Sequence, residues 1–401
     1  MTGDQPATRV LIGFAEALAA PEVAASLLGA GYEVVAFTRR SAHAALRHHS
    51  RVETVDVPSP EEGVAAAADG LAALPARLGI GIVVPLDDPS VWLCQRAFTR
   101  GRAGGDPLIV GPMGPQAELA MDKRAQLVAA EAAGFTVPAW ADVDPGAGLP
   151  PSWAFPVVVK PILAAEEHDG RLRRLSPRLV GSAAELEDLA ASWGSGTKAV
   201  VQRWVEGRGE GIFGLADWSG VHHTSAHVRV RMMNPSGSGS SACASAPVPG
   251  DLLPPVDRLM KNAGWTGMFM VELLRAPDGT AYFMELNGRS WGSMALARRL
   301  GLEYPAWAVA GALQPGAELP PPPPFRALTC RHLGRELVHL LFILRGRPAS
   351  APLHWPARGR TLLDLRPARG QRWYNWSRRH PAVFLYDSWR TVFDQVKGGT
   401  G

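Results

Sequence analysis

Apolar and polar positions fall into blocks along this chain. Residues 9–14 read Arg-Val-Leu-Ile-Gly-Phe, an Ala/Leu-rich stretch follows, and Gly31-Tyr-Glu-Val-Val-Ala-Phe37 closes the block. Uninterrupted apolar runs around a helical stretch predict a parallel βαβ unit, because a strand covered on both faces loses its polar alternation. A similar run, Gly79-Ile-Gly-Ile-Val-Val-Pro-Leu86, ends at Asp87-Asp88, and Leu108-Ile-Val-Gly111 predicts a further strand. A helix is expected over Gln116–Ala133, stopped by Gly134. Phe155-Pro-Val-Val-Val-Lys160-Pro161 reads as a short strand with one lysine at its end. Ser182 followed by Glu185 is a capping-box spacing that opens a helix over Ala183–Trp193. The strand Ala199-Val-Val-Gln-Arg-Trp-Val205 comes next, and the polar loop 164–174 is expected to fold over whatever binds.

A different pattern marks 267–287. Gly267-Met-Phe-Met-Val-Glu272-Leu-Leu-Arg and Thr280-Ala-Tyr-Phe-Met-Glu285-Leu-Asn287 alternate on either side of Asp278-Gly279, a strong hairpin signal. A two-residue loop at 278–279 sets Glu272 opposite Glu285, with Asn287 on the same face. Opposed carboxylates repel unless a cation lies between them. Two carboxylates and an amide oxygen form a hard-oxygen set of the kind Mg2+ prefers, with phosphates and water completing its shell, and Mn2+ would serve in its place. Arg289, two residues on, is placed to bind phosphate or to stabilise a phosphoryl group in transfer.

Length and composition set the frame. The 401 residues are 46% hydrophobic and 19% charged, enough for two or three globular domains. Residues 1–115 are read as a Rossmann-like domain, although the glycines near Gly13 do not form G-x-G-x-x-G, which removes the main support for a dehydrogenase. The start lacks the basic and apolar regions of a secretory signal, so a cytoplasmic location is expected. The apolar stretch Leu337–Leu344 falls short of the roughly 20 residues a membrane span needs. Cys94, Cys243 and Cys330 are scattered, which argues against a disulfide framework or a zinc site. Net charge is +4 but uneven. From Arg326 onward 14 Lys/Arg face 4 Asp/Glu, against 27 and 33 before it. That basic segment carries Trp355, Trp373, Trp376 and Trp389 and follows the stiff Pro320–Pro324 run. It reads as a chemically separate extension: a solvated cap, or a contact for a membrane surface or acidic partner through residues 326–397.

Taken together, residues 8–312 resemble an ATP-grasp carboxylate–amine ligase of the carbamoyl-phosphate-synthase-like type. The resemblance implies an ATP-grasp domain over 116–318, with a lid subdomain at 152–205 and a metal-binding subdomain at 206–318, followed by a linker and basic extension at 319–401. The fold class is then α/β and α+β: the Rossmann-like domain first, two α+β subdomains after it. Met121-Asp-Lys123 and Val159-Lys160-Pro161 match the family's two phosphate-contacting lysines. Gln202-Arg203-Trp204-Val205 matches the hinge strand whose backbone holds adenine. Glu210, favoured by spacing over Glu206, matches the acid on the ribose. Glu272, Glu285 and Asn287 match the metal ligands, and Arg289 the arginine that contacts transferring phosphate.

The lid loop departs from the family by being charged rather than built of small residues. Arg229 and Arg231, two apart on one strand, together with Ser293, lie where such ligases recognise a substrate carboxylate. The implied reaction joins small-molecule carboxylic acid and amine substrates through an acylphosphate at the expense of ATP, with Mg2+. Nucleic acid is not an expected partner, and a dimer is compatible with the family. Competing readings are a carboxylase-type enzyme using bicarbonate, and a nucleotide-binding protein without turnover recruited by its basic tail.

Overall fold

The computed structural model describes residues 8–98, 106–150, 152–194, 196–235, 238–347, 355–366 and 368–398. It is a mixed α/β fold containing, among these residues, three principal sheets. The first is built from β1 (Arg9–Gly13), α1 (Ala20–Gly29), β2 (Glu33–Arg39), β3 (Val52–Val57), α2 (Val64–Ala72), α3 (Leu74–Leu78), β4 (Ile82–Pro85), α4 (Asp88–Ala97) and β5 (Leu108–Ile109). Its strands run parallel in the order β3-β2-β1-β4-β5. Val10, Ile12, Val34 and Ala36 pack toward Val23 and Leu27 of α1, while Leu11, Val35 and Val83 pack toward Leu71 and Leu93 on the other face. Burial on both faces is why these strands read as unbroken apolar runs. Edge strand β3, Val-Glu-Thr-Val-Asp-Val, carries none of that signal. Its acids are engaged instead, Glu53 by Arg9 and Asp56 by Arg47 and Thr38.

The helix expected over 116–133 is two helices, α5 (Pro115–Met121) and α6 (Lys123–Ala133), parted by an extended Asp122 whose side chain accepts from Ala125 N at 2.8 Å. Asx capping thus overrides the helical pattern. The break has a structural use. Lys123 N donates to Ile162 O at 2.8 Å and Ala164 N to Met121 O at 2.8 Å, tying the start of α6 to the segment that follows Lys160.

Next come β6 (Trp140–Val143), β7 (Val157–Pro161), β8 (Glu166–His168), β9 (Arg171–Arg173), β10 (Arg178–Val180), α7 (Ala183–Trp193) and β11 (Ala199–Arg203). The sheet order is β10-β7-β11-β6. Val157, Val159, Ala199 and Val201 pack on Leu186, Leu189 and Trp193 of α7. Lys160 and Gln202 therefore occupy the opposite face. Ser182 caps α7 by accepting from Glu185 N at 3.2 Å, and Glu185 reaches back to Gly181 N rather than to the cap residue itself. The polar loop 164–174 is a hairpin, β8 paired with β9, seated on the first domain: Leu172 is buried there, Val64 N donates to Gly170 O, and Glu167 meets Arg96.

The largest sheet uses β12 (Arg208–Asp217), β13 (Gly220–Asn234), β14 (Ser238–Ala246), α8 (Leu253–Asn262), β15 (Gly267–Arg275), β16 (Ala281–Asn287), α9 (Met294–Arg299), α10 (Tyr304–Leu313), β17 (Thr329–Arg331), α11 (Leu333–Arg345), α12 (Arg358–Asp364), β18 (Gln371–Trp373) and α13 (Pro381–Gly398). Its order is β16-β15-β12-β13-β14-β17-β18. One face, with Ile212, Val271, Leu273, Phe283 and Leu286, packs on α6 and α8. The other carries Phe213, Met268 and Met270 against the first domain and Trp291.

Strands β17 and β18 revise the reading of the extension. Residues after the proline run complete this sheet, and Arg331, His332, Glu336, His339 and Tyr374 are buried among them. Buried arginines matched to buried acids are invisible to a net-charge count, which registers only the excess. No helix among the described residues is long and apolar enough to cross a membrane.

Candidate active site

The hairpin β15–β16 does place Glu272 opposite Glu285, but by another route than a two-residue loop. Arg275 pairs with Ala281, Ala276 N donates to Thr280 O, and Gly279, at φ +89°, donates to Ala276 O. The turn is one residue longer than expected, which alone would shift the acids out of line. An extra residue in β16, Met284, restores the register between Leu273/Phe283 and Glu272/Glu285. The bulge also sends Phe283 and Leu286 to the core face together, leaving Glu285 and Asn287 on the other.

Each acid meets a cation from a different element. Lys123 Nζ donates to Glu285 Oε1, and Arg229 Nη2 donates to Glu272 Oε2 at 2.7 Å. Burial pushes the Glu272 carboxyl up, but Arg229, with His227 and Arg289 behind it, turns the net direction down. Arg229 reaches across β12 only because Gly209 lies beneath it; a Cβ there would come within 2.5 Å of Arg229 Cδ. At Gly211 a Cβ would meet His227 Nε2 at 2.9 Å. The alternating glycines of Arg208-Gly-Glu-Gly are thus a floor over which β13 side chains lie toward the acids. Lys160 is buried, on β7 opposite Val200. Burial, helped by the charge of Lys123, brings its pKa down to about 8 against the pull of Glu285 and Glu272. Two lysines and two carboxylates from four elements therefore share one cleft.

Asn287 is buried on the face of Glu285. Arg289 is held by Asp88, the first residue of α4, through Nε–Oδ1 at 2.9 Å and Nη2–Oδ2 at 3.3 Å. Burial would raise the Asp88 pKa, but Arg289, Lys123 and Arg174 hold it near 2. Arg174, leaving the lid hairpin, stands 3.9 Å from Asp88 Oδ2. This carboxylate thus joins α4 to the segments that follow β9 and β16.

Trp204 and Val205 are half-buried in the connector between β11 and β12, a hinge position. Gln202 is buried at the end of β11, its amide nitrogen and oxygen both without a hydrogen-bond partner among the described residues.

Solved structures resemble this arrangement. An L-amino acid ligase from Bacillus licheniformis superposes with a TM-score of 0.57 at 18% identity, over 77% of this chain and 75% of that one. The biotin carboxylase domain of Hydrogenobacter thermophilus 2-oxoglutarate carboxylase, in complex with MgADP, ADP and bicarbonate, gives 0.59 at 17%, over 80% and 72%. N5-carboxyaminoimidazole synthetase from Staphylococcus aureus gives 0.58 at 14%, over 86% and 87%. The fold is that of the ATP-grasp enzymes. No protein-family profile and no curated protein sequence matches the chain.

Within this fold the other expected residues have contacts of their own. Glu210 pairs with Leu273 and Val228, lies on the face opposite Glu272, and is held by Arg275 at 2.9 Å and Arg208 at 2.7 Å. Arg231 is paired with Glu336 and Asp364 of the extension, and Arg229 with Glu272. Ser293 is buried and its hydroxyl meets His227 Nδ1 at 2.7 Å. The pKa of His227 is driven down to about 3 by burial and by Arg229, so the ring is neutral beside Glu272.

Asp88 was not among the expected site residues, and His227 was noted only as the start of the strand segment that carries Arg229 and Arg231. The Asp87-Asp88 pair at the end of a predicted parallel strand was the available signal for the first.

Among the described residues no three His, Cys, Asp or Glu side chains cluster as a metal site. The set here is two carboxylates and one amide, which suits a Mg2+ ion that keeps phosphate and water ligands and is poor for a closed protein cage. The donor chemistry fits Mg2+ bound together with a nucleotide.

Proposed function

We propose that the protein is an ATP-dependent carboxylate–amine ligase. The observation that carries this reading is the meeting of Lys123, Lys160, Glu272 and Glu285, from α6, β7, β15 and β16, at a hinge between two sheets. A substrate carboxylate oxygen attacks the γ-phosphorus of ATP, ADP leaves, and an acylphosphate forms. An amine nitrogen then attacks the acyl carbon, the C–N bond forms, the C–O bond to phosphate breaks, and the amine proton passes to solvent. Such chemistry needs charge neutralisation and in-line placement rather than a protein nucleophile.

Lys123 and Lys160 supply positive charge to the phosphates, and Lys123 exchanges its bond to Glu285 for one to phosphate. Glu272, Glu285 and Asn287 hold Mg2+, which when bound neutralises phosphate charge. Asp88 orients Arg289 at the edge of the same cleft, where it faces charge developing on the transferred group. The backbone at Trp204 and Val205 holds adenine, and the buried Gln202 amide lies beside that site. Support comes from the neighbours, one of which is a ligase for L-amino acids.

The test is ADP release from Mg-ATP with pooled organic acids and amines. Release that needs both pools supports the ligase, and no release in any combination sinks it. The carboxylase reading draws on the biotin carboxylase neighbour. ADP released with bicarbonate alone would select it.

A further inference from the structure

The two sides of helix α13 are used differently. One side packs on α11. Phe384 and Ser388 are buried there, and a Cβ at Gly334 would meet Ser388 O at 2.5 Å and Thr391 Cβ at 2.8 Å, so the two helices approach closely. Asp387, on the same side, pairs with His332 at 2.8 Å.

The other side faces solvent, and it is apolar. At about 3.6 residues per turn, Pro381, Ala382, Leu385, Trp389, Val392 and Val396 fall within about 100° of arc, with no polar residue among them. Leu385, Trp389 and Val396 are 60%, 53% and 46% exposed. A surface helix ordinarily turns such a stripe toward the core. Here the inward side includes Asp387, Ser388 and Thr391, and the uninterrupted apolar stripe points outward. A contiguous exposed stripe of this kind marks a surface that meets something else.

Its borders say what that is. Along one flank stand Arg390 and Lys397, whose charged heads lie over the Phe393 ring at 5.7 and 4.7 Å. Trp389 stacks on the same ring with centroids 5.0 Å apart, so cations and stripe form one continuous surface. Arg390 and Lys397 also line, with Arg47 and His48 of the first domain, a cavity of about 550 Å3 beside Trp389, which has room for a phosphate-bearing headgroup. Arg378 and Arg379 stand exposed just ahead of the helix and make no ion pair among the described residues. Asp394, the exposed acid of α13, lies on the far side from the stripe and is held by Arg390 at 2.9 Å.

An apolar stripe edged by cations and aromatic rings complements the headgroup boundary of an anionic bilayer. There aliphatic side chains enter the acyl region, tryptophan sits at the interface and Lys/Arg meet lipid phosphates. A second copy of the chain fits less well, because in an isologous contact the patch meets itself and one basic rim faces another. A soluble acidic chain answers the rim but not the stripe.

We propose that the protein docks peripherally on anionic lipid through the outward face of α13, with Leu385, Trp389 and Val396 inserted and Arg378, Arg379, Arg390 and Lys397 on lipid phosphates. The helix lies in the plane of the surface; no described helix is long and apolar enough to cross it. This docking does not depend on the ligase reading.

The experiment floats the full chain with vesicles of phosphatidylcholine alone or with about 30% phosphatidylserine. The protein rises with the anionic vesicles and stays behind with neutral ones, and about 0.5 M salt weakens binding by screening the rim. Leu385→Ser with Val396→Ser lowers the partition coefficient roughly 30-fold, the worth of two aliphatic side chains entering the interface. Arg378→Glu with Arg379→Glu lowers it by a similar factor. All four positions are exposed, and an unchanged melting temperature shows that neither pair acts by unfolding. Serine-variant binding equal to that of the unmodified chain would overturn the proposal, as would equal flotation with neutral and anionic vesicles, or none with either. A dimer in sedimentation that the serine variant dissolves, without flotation, would give the face to a second copy. Polyglutamate bound as tightly as anionic vesicles, and equally by the serine variant, would give the rim to an acidic protein. Either result sinks lipid docking.

Discussion

The largest sheet contains two clusters of acids and arginines that look alike in composition and differ in use. On β15 and β16, Glu272 and Glu285 keep 26% and 30% of their side-chain surface exposed, and their cations come from β13 and from α6. Beyond β14, Glu336 is 1% exposed and accepts from Arg331, itself 2% exposed, at 2.5 and 3.0 Å, and from Arg231. Arg331 also donates to Leu365 O, Arg366 O and Gln371 Oε1. A closed cluster, its ion pairs all made by Glu336 Oε2, stitches the extension to the sheet. A half-open one can trade its internal cations for a ligand's charges. The lesson is that access to solvent and the origin of the partners, rather than residue type, separate an ion pair that holds the fold from one available for chemistry.

The comparison breaks most visibly at Glu336. Glu336→Gln leaves the buried Arg331 guanidinium without an anion and Arg231 with Asp364 alone, and is expected to cost about 3–5 kcal/mol of stability, read as a lower denaturant midpoint. A loss below about 1 kcal/mol would mean that the closed cluster holds nothing. Glu285→Gln should do the opposite: ADP formation falls about 100-fold or more, while the midpoint moves by less than about 1 kcal/mol. Normal turnover would remove Glu285 from the metal set.

A subtler effect concerns Lys160. With its pKa near 8, it is charged below that pH and loses its proton as pH rises through it. The KM for ATP should therefore climb, by about tenfold for each unit well above pH 8 if one charge governs binding, and Lys160→Arg should flatten that climb because arginine stays charged. A wild-type profile flat to pH 10 would contradict a phosphate role. The smallest effect is expected at Glu210. Because its carboxylate faces Arg208 and Arg275 on the other side of the sheet, Glu210→Gln should leave ATP affinity within about twofold, measured by titration with a nucleotide analogue. A tenfold loss would support a ribose contact at Glu210.

How much of this was legible depended on the range of the interaction. The strands Arg9–Gly13, Glu33–Arg39 and Ile82–Pro85 and the helix Ala183–Trp193 follow from local patterns and one cap. So did the opposition of Glu272 and Glu285, although a longer turn and a compensating bulge produced it. Helix α6 begins at Lys123 because Asp122 caps it, a local signal overlooked inside a longer helical pattern. Arg231 and Ser293 had plausible neighbours in sequence, but their partners are 105 and 66 residues away, and no short-range rule reaches that far.

By itself the sequence determined which residues could carry chemistry: the opposed acids, the two strand- and helix-end lysines, and Arg289. Their types and spacing impose charges and faces that any fold must accommodate. Only the tertiary structure decided their employment. It gave Arg229 to Glu272, Arg231 to Glu336 and Asp88 to Arg289, and turned Glu210 away. The reason is physical: the energy of a charge depends on its nearest opposite charge and on the water it retains, and both are properties of assembled space rather than of position along a chain.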